Sequence, residues 1–206
     1  MSPTDPSGSA GSPAPARTAA ARTAPCAVLD VWCELQCPDC RTALADLQTL
    51  RARYGDALDI RLRHFPLPKH QHAYAAAQAA EEAAAQGQGW PYAEAVLARV
   101  GELSERGTAL LLEVAGELGL DIDELDTALI DGRHLLAVDA DHAEGQAIGV
   151  TGTPTYTIGG ELLDGSKSQQ GLRERIAAIA DRLLSESESK SESENENENE
   201  NDGAAR

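Results

Sequence analysis

The chain has 206 residues with 34 acids against 17 bases, a formal net charge of −17. Acidity on that scale opposes both the counterion release that drives nucleic-acid binding and attraction to anionic membrane surfaces. No stretch approaches the roughly 20 consecutive apolar residues of a membrane-spanning helix, since the most apolar run, 109–115, is short and interrupted by Glu113; a soluble protein without nucleic-acid or membrane partners is expected.

Three compositional parts follow one another. Residues 1–25, rich in Ser, Pro, Ala and Thr, carry +1 and have no apolar segment of the secretory-signal kind, so a disordered extension is expected. Residues 185–206 are a low-complexity acidic run carrying −6, expected to be a disordered, solvated tail. The body, 26–184, keeps the remaining −12 and has the length of one domain. Without an export segment the expected address is cytoplasmic, where structural disulfides are uncommon. The four cysteines then need another role.

Residues 27–35 (AVLDVWCEL) form an apolar run that suits a central strand. Pro38 fits a first helical position, and Leu44, Leu47 and Leu50 follow near one helical face up to about Gly55. Residues 57–65 (ALDIRLRHF) alternate strictly, which predicts a second strand stopped by Pro66 and Pro68. From 71 to 148 the signals are helical: an Ala-rich segment closing at Gly87, then 91–100, 108–118, 121–130 and 133–148. Strand chemistry returns at 153–158 (TPTYTI), and Gly159-Gly160 with 161–163 completes a hairpin. A last helix starts near Ser166 or Ser168, with Ser166 and Gln169 as a capping box, and buries Leu172, Ile176, Ile179 and Leu183.

The chemistry concentrates in Cys33-Glu34-Leu35-Gln36-Cys37-Pro38-Asp39-Cys40. A Cys-x-x-Cys pair where a strand passes into a helix sets its first sulfur beside unpaired N–H groups and the positive helix end, which favour thiolate. Cys37 is therefore the candidate nucleophile. Pro38 costs no helical hydrogen bond there, and Cys40, almost one turn on, can displace a partner bound to Cys37. The spacing alone also serves zinc and iron–sulfur sites.

A second motif, 149–155 (GVTGTPT), opens the later strand. With it the chain resembles the DsbA-like branch of the thioredoxin superfamily, in its cytosolic bacterial form, over about residues 26–184. The resemblance implies an α/β, thioredoxin-like fold with an inserted all-helical subdomain at about 71–148. It implies a cis proline at Pro154 facing the cysteine pair, and a Thr153 backbone that holds an extended substrate peptide as an added strand. An ordinary trans proline at a strand start is the alternative. The activity implied is thiol–disulfide exchange with protein or peptide thiols, supplied by an unidentified cellular reductant or oxidant and requiring no cofactor or metal. Two positions depart from the pattern: Val31 stands where relatives often carry a buried acid, leaving Glu34 as a candidate proton acceptor, and Asp39 places a carboxylate near Cys37, which disfavours its thiolate. A more reducing protein than the periplasmic oxidants is expected.

Other readings compete for the same residues. Cys33, Cys37 and Cys40 also spell the cluster signature of radical S-adenosylmethionine enzymes, but the helical middle leaves too few strands for that barrel. A zinc or iron–sulfur protein using Cys33, Cys37 and Cys40 is the binding-module alternative; Cys26 cannot join Cys33 if one strand holds them roughly 23 Å apart. A glutathione-linked transferase or isomerase of the same fold generally carries serine at the nucleophile position and lacks the second cysteine, so Cys40 speaks against it. Cys33 reads as a small buried hydrophobe or as a third thiol near Cys37. His64, His70 and His72 read as solvated or capping residues, Trp32 and Trp90 as core or groove-lining aromatics, and the Asp141-His142 pair receives no chemical role.

Overall fold

A computed structural model describes residues 26–203, with side chains through 189; the extension expected over 1–25 lies outside the described residues. The chain runs β1 (Ala27–Cys33), α1 (Pro38–Tyr54), a 3-10 turn (Gly55–Ala57) and β2 (Leu58–His64). It continues through α2 (Ala73–Ala85), α3 (Gly89–Ala98), α4 (Val100–Arg106), α5 (Thr108–Glu117), α6 (Ile122–Asp131) and α7 (Leu135–Ile148), and closes with β3 (Thr155–Ile158), β4 (Glu161–Asp164) and α8 (Leu172–Gly203). The sheet order is β2-β1-β3-β4, with β1 parallel to β2 and antiparallel to β3, and β3 antiparallel to β4. This is an α/β fold with helices α2–α7 inserted between β2 and β3, the arrangement that the resemblance implies.

Cores on both faces of β1 explain its nearly continuous apolar run. Side chains alternate across a strand. Leu29, Val31 and Cys33 therefore share the main core with Cys40, Ala43, Leu47 and Leu50 of α1 and Ile176, Ile179 and Ala180 of α8, whereas Trp32 turns to a smaller core with Phe65 and Val150. In the insert, α2 buries an alanine face that includes Ala76, Ala79, Ala80 and Ala83, and such small side chains let α3, α5, α6 and α7 pack against it.

The smaller core depends on one glycine of α7. A Cβ on Gly145 would stand 2.9 Å from ring atoms of both Phe65 and Trp32. Gly145→Ala gains about 1 kcal/mol of helix propensity, but overpacking costs about 1–3 kcal/mol. A net loss of about 1 kcal/mol in denaturant unfolding is expected; unchanged or increased stability would mean that the rings yield.

Three local expectations change. Val100–Arg106 is helical although Gly101 lies within it, because Leu103 is fully buried among the helices of the insert. Ser166 and Gln169 do not cap the last helix: Ser166 Oγ donates to Asp164 Oδ1 at 2.6 Å, Gln169 Nε2 donates to the Asp39 carbonyl at 2.8 Å, and α8 begins at Leu172. Finally, α8 continues to Gly203, where the sequence reading places a disordered tail from 185. No Gly or Pro interrupts the run before Gly203, and extending an existing helix avoids the cost of a new nucleus. The Ser185, Ser187 and Ser189 hydroxyls bond back to the carbonyls of Asp181, Leu184 and Ser185.

Candidate active site

Register brings the two sequence motifs together. Trp32 of β1 pairs with Thr155 of β3, so the segment entering β3 begins beside the loop that leaves β1 for Cys37. Cys37 is the N-cap residue of α1, with Pro38 in the first turn, and its N–H donates to the Glu34 carbonyl at 3.0 Å. The Thr153–Pro154 peptide bond is cis. Cys37 Sγ lies 3.5 Å from the Thr153 carbonyl oxygen, to which the thiol donates. Two glycines let the segment entering β3 pack closely against the one leaving β4: a Cβ on Gly165 would stand 2.9 Å from the Pro154 carbonyl, and one on Gly152 would stand 2.8 Å from the Ser166 side chain.

Pro38 and Asp39 are exposed, whereas Cys37 and Cys40 are buried, at 2% and 1% exposure. Beside Cys37 lies a groove of about 470 Å³ lined by two chain segments, Leu67, Pro68 and Lys69 from one and Thr151, Gly152 and Thr153 from the other.

The electrostatics of the pair amend the expectation of a sulfur held ionised by the helix end. A hydrogen bond with the Cys40 thiol and burial both push Cys37 well above the ordinary thiol value near 9. The Thr153 hydroxyl, buried and otherwise unpartnered, pulls it down by its position to donate to a thiolate. Cys40 is raised still more clearly, chiefly by its complete burial. Asp39, expected to oppose the Cys37 thiolate, is exposed, and the upward push comes from Cys40 and burial instead. A raised thiol is mostly protonated at neutral pH. Alkylation of Cys37 in the reduced protein is therefore expected to accelerate about tenfold per pH unit through pH 8 without levelling; a rate already flat at pH 7 would overturn the assignment.

The structure adds residues whose partners are remote in sequence. Glu34 is buried, its Oε1 accepts from the Gln36 N–H at 2.6 Å, and its other oxygen pairs with His70 Nδ1. Burial raises the Glu34 carboxyl from its ordinary value, and His70 and the Gln36 N–H pull it back. The Glu34 N–H contacts Cys40 Sγ at 3.5 Å. Gln36 accepts from the His72 N–H at 2.8 Å and so ties the active-site loop to the start of α2.

Of the three histidines only His64 is buried; His70 and His72 are half-buried, and His72 stands at the N-cap position of α2 without a side-chain cap bond. His64 is buried and contacts Glu81 at 3.0 Å, His70 holds Glu34, and His72 packs beneath Gly107. Asp141 is structural: it accepts from the His64 N–H at 2.9 Å and pairs with Arg63. Trp90 donates to the Ile60 carbonyl at 2.8 Å, with Arg51 stacked over its ring. Among the described residues, no group of three or more His, Cys, Asp and Glu side chains could hold a metal ion, and no helix is long and apolar enough to cross a membrane.

A family model for the DSBA-like thioredoxin domain matches residues 28–177. The chain belongs to that family. The chain is 36% identical over 135 residues to a Na(+)/H(+) antiporter NhaA of Herminiimonas arsenicoxydans, a match covering 66% of this chain and 21% of that protein. The chain thus spans only about a fifth to a quarter of the length of the curated relatives it matches. Among solved structures, oxidised BdbD of Bacillus subtilis aligns with a TM-score of 0.65 at 15% identity, covering 75% of this chain and 88% of that one. A thioredoxin-like oxidoreductase from Silicibacter pomeroyi aligns with a TM-score of 0.59 at 23% identity, covering 74% and 86%. These two likenesses concern the fold.

Proposed function

We propose that this DSBA-like domain is a thiol–disulfide oxidoreductase that exchanges with protein or peptide thiols through Cys37 and Cys40. The observation that carries the reading is the meeting of Cys37, at the start of α1, with the backbone of Thr153 next to Pro154, 116 residues away. Cys37 attacks a substrate disulfide and forms a mixed disulfide; the departing substrate thiolate takes a proton. Cys40 then attacks the Cys37 sulfur, releasing the second substrate thiol and leaving Cys37–Cys40 oxidised. In the oxidising direction the steps reverse. Thr153 offers its backbone to an extended segment in the groove, and its hydroxyl supports the Cys37 thiolate as it forms. Cys40 is sealed from water, so its proton must pass to a nearby group; Glu34, on the peptide that touches its sulfur, is the acceptor in this proposal.

A dithiol that keeps its protons lacks the thiolate stabilisation of the reduced form that makes a strong oxidant. This supports the reducing direction and a cytoplasmic address. The mechanism is tested by expressing Cys40→Ala in cells. Adducts with client proteins that reductant releases should accumulate, and a Cys37→Ala chain should form none. Equal adducts from both variants, or none from either, would overturn the proposal.

A further inference from the structure

Cys33 stands outside the exchange described above, yet it lies on the side of β1 that faces α1. Cys33, Val31 and Leu29 follow one another at every second residue of the strand, and all three join the core that contains Cys37 and Cys40. The peptide immediately after Cys33 touches the resolving sulfur: Glu34 N is 3.5 Å from Cys40 Sγ. Cys33 and Cys37 both lie near enough to Cys40 to influence its thiol, and all three are free cysteines buried in one core. The phenol of Tyr156, buried beside β1, senses Cys33 and Cys40 together. Cys33 is 3% exposed, so the chemistry available to it is with its neighbours inside the protein.

Thiol–disulfide exchange needs an attacking sulfur, a central sulfur and a leaving sulfur. Cys40 has a buried thiol beside it for each of the other roles. We propose that Cys33 is a third redox-active thiol, which attacks Cys40 in the oxidised pair and moves the disulfide from Cys37–Cys40 to Cys33–Cys40. The S–S bond between Cys37 and Cys40 breaks, a bond between Cys33 and Cys40 forms, and the proton leaving Cys33 is matched by one taken up at Cys37. No electrons enter or leave, so no further oxidant or reductant is required.

This step rests on the exchange proposed for Cys37 and Cys40, and it gives the oxidised protein a second form. In the first, Cys37 is bonded and the molecule can oxidise a dithiol. In the second, the oxidising equivalent is stored in the core and Cys37 is free to attack a substrate disulfide. Cys40 cannot then resolve the resulting adduct, so the substrate's own thiols must do so, which is the chemistry of disulfide rearrangement.

The sequence permits a direct map. Cleavage after Asp and Glu, combined with trypsin, places Cys33, Cys37 and Cys40 in separate fragments, 31–34 (VWCE), 35–39 (LQCPD) and 40–41 (CR). The full chain is oxidised with oxidised glutathione, quenched in acid, labelled with N-ethylmaleimide and digested. The expected result is two linkages to 40–41: one from 35–39, and one from 31–34 in about one oxidised molecule in ten or more, with Cys37 labelled in that fraction. A tenth corresponds to a gap of about 1.4 kcal/mol between the forms. In Cys33→Ala the 31–34 linkage vanishes and the labelled Cys37 fraction with it. Finding only the 35–39 linkage in the unaltered chain would overturn the role of Cys33 and leave the exchange mechanism standing. Finding neither linkage would overturn the mechanism itself.

Discussion

Turnover of a peptide disulfide is expected to fall by about 10³-fold or more in Cys37→Ser, because a serine hydroxyl is a far weaker nucleophile and cannot enter a disulfide. The substitution is nearly isosteric at a site where the side chain donates to the Thr153 carbonyl, a bond the hydroxyl can also make. Stability should therefore change by no more than about 1 kcal/mol. Cys40→Ser behaves differently. It keeps the first attack, consumes one equivalent of substrate and stops at the mixed disulfide. Stopped-flow release of a substrate thiol separates the two variants: no burst from Cys37→Ser, and a single stoichiometric burst from Cys40→Ser. A Cys37→Ser protein that retains turnover within tenfold of the unaltered chain would remove Cys37 from the chemistry.

The second expectation concerns Glu34. If this carboxylate takes the Cys40 proton, Glu34→Gln should slow the resolving step by about 10²-fold, the lower range for losing a general base. The sign with pH follows from burial. Below its raised value the carboxyl already holds a proton and cannot accept another, so resolution should quicken as pH climbs through that value. In Glu34→Gln this rising limb disappears. The groups facing the carboxyl are His70, the Gln36 N–H and Cys37, and of these only the carboxyl is altered.

Stability provides an independent readout. A carboxyl whose folded value lies above its unfolded one weakens the fold as pH rises past the unfolded value. Glu34→Gln should therefore leave neutral-pH stability unchanged or higher while activity falls. Rapid quenching of the mixed disulfide across pH 5 to 9, beside urea melts of both proteins, tests the pair of outcomes. A variant that loses stability and activity together would make Glu34 a structural residue.

Much of this architecture is readable from local rules. The alternation of ALDIRLRHF, the uninterrupted run of AVLDVWC and the Gly159-Gly160 turn each specify a strand or hairpin through side-chain period or turn geometry, and the structure places β2, β1 and β3–β4 there. Pro38 and Gly55 bound α1 at its two ends. Local rules fail where the deciding partner is distant. His70 reads as solvated until Glu34 arrives from 36 residues away, and His64 until Glu81 covers it. Val100–Arg106 reads as a connector because Gly101 weakens its local preference, while the burial of Leu103 that secures it belongs to tertiary packing. The Ser166 and Gln169 spacing imitates a cap, yet Gln169 is claimed by the Asp39 carbonyl across 130 residues. The upward push on Cys37 is hidden from sequence for the same reason: helix position is visible there, but burial beside a second thiol is not.

The helical insert stands on two stalks, the segments between β2 and α2 and between α7 and β3. Both stalks also line the groove beside Cys37, the first through Leu67, Pro68 and Lys69 and the second through Thr151, Gly152 and Thr153. The footings of the insert and the surroundings of the reactive sulfur are thus built from the same short connections, so a change in either stalk reaches both.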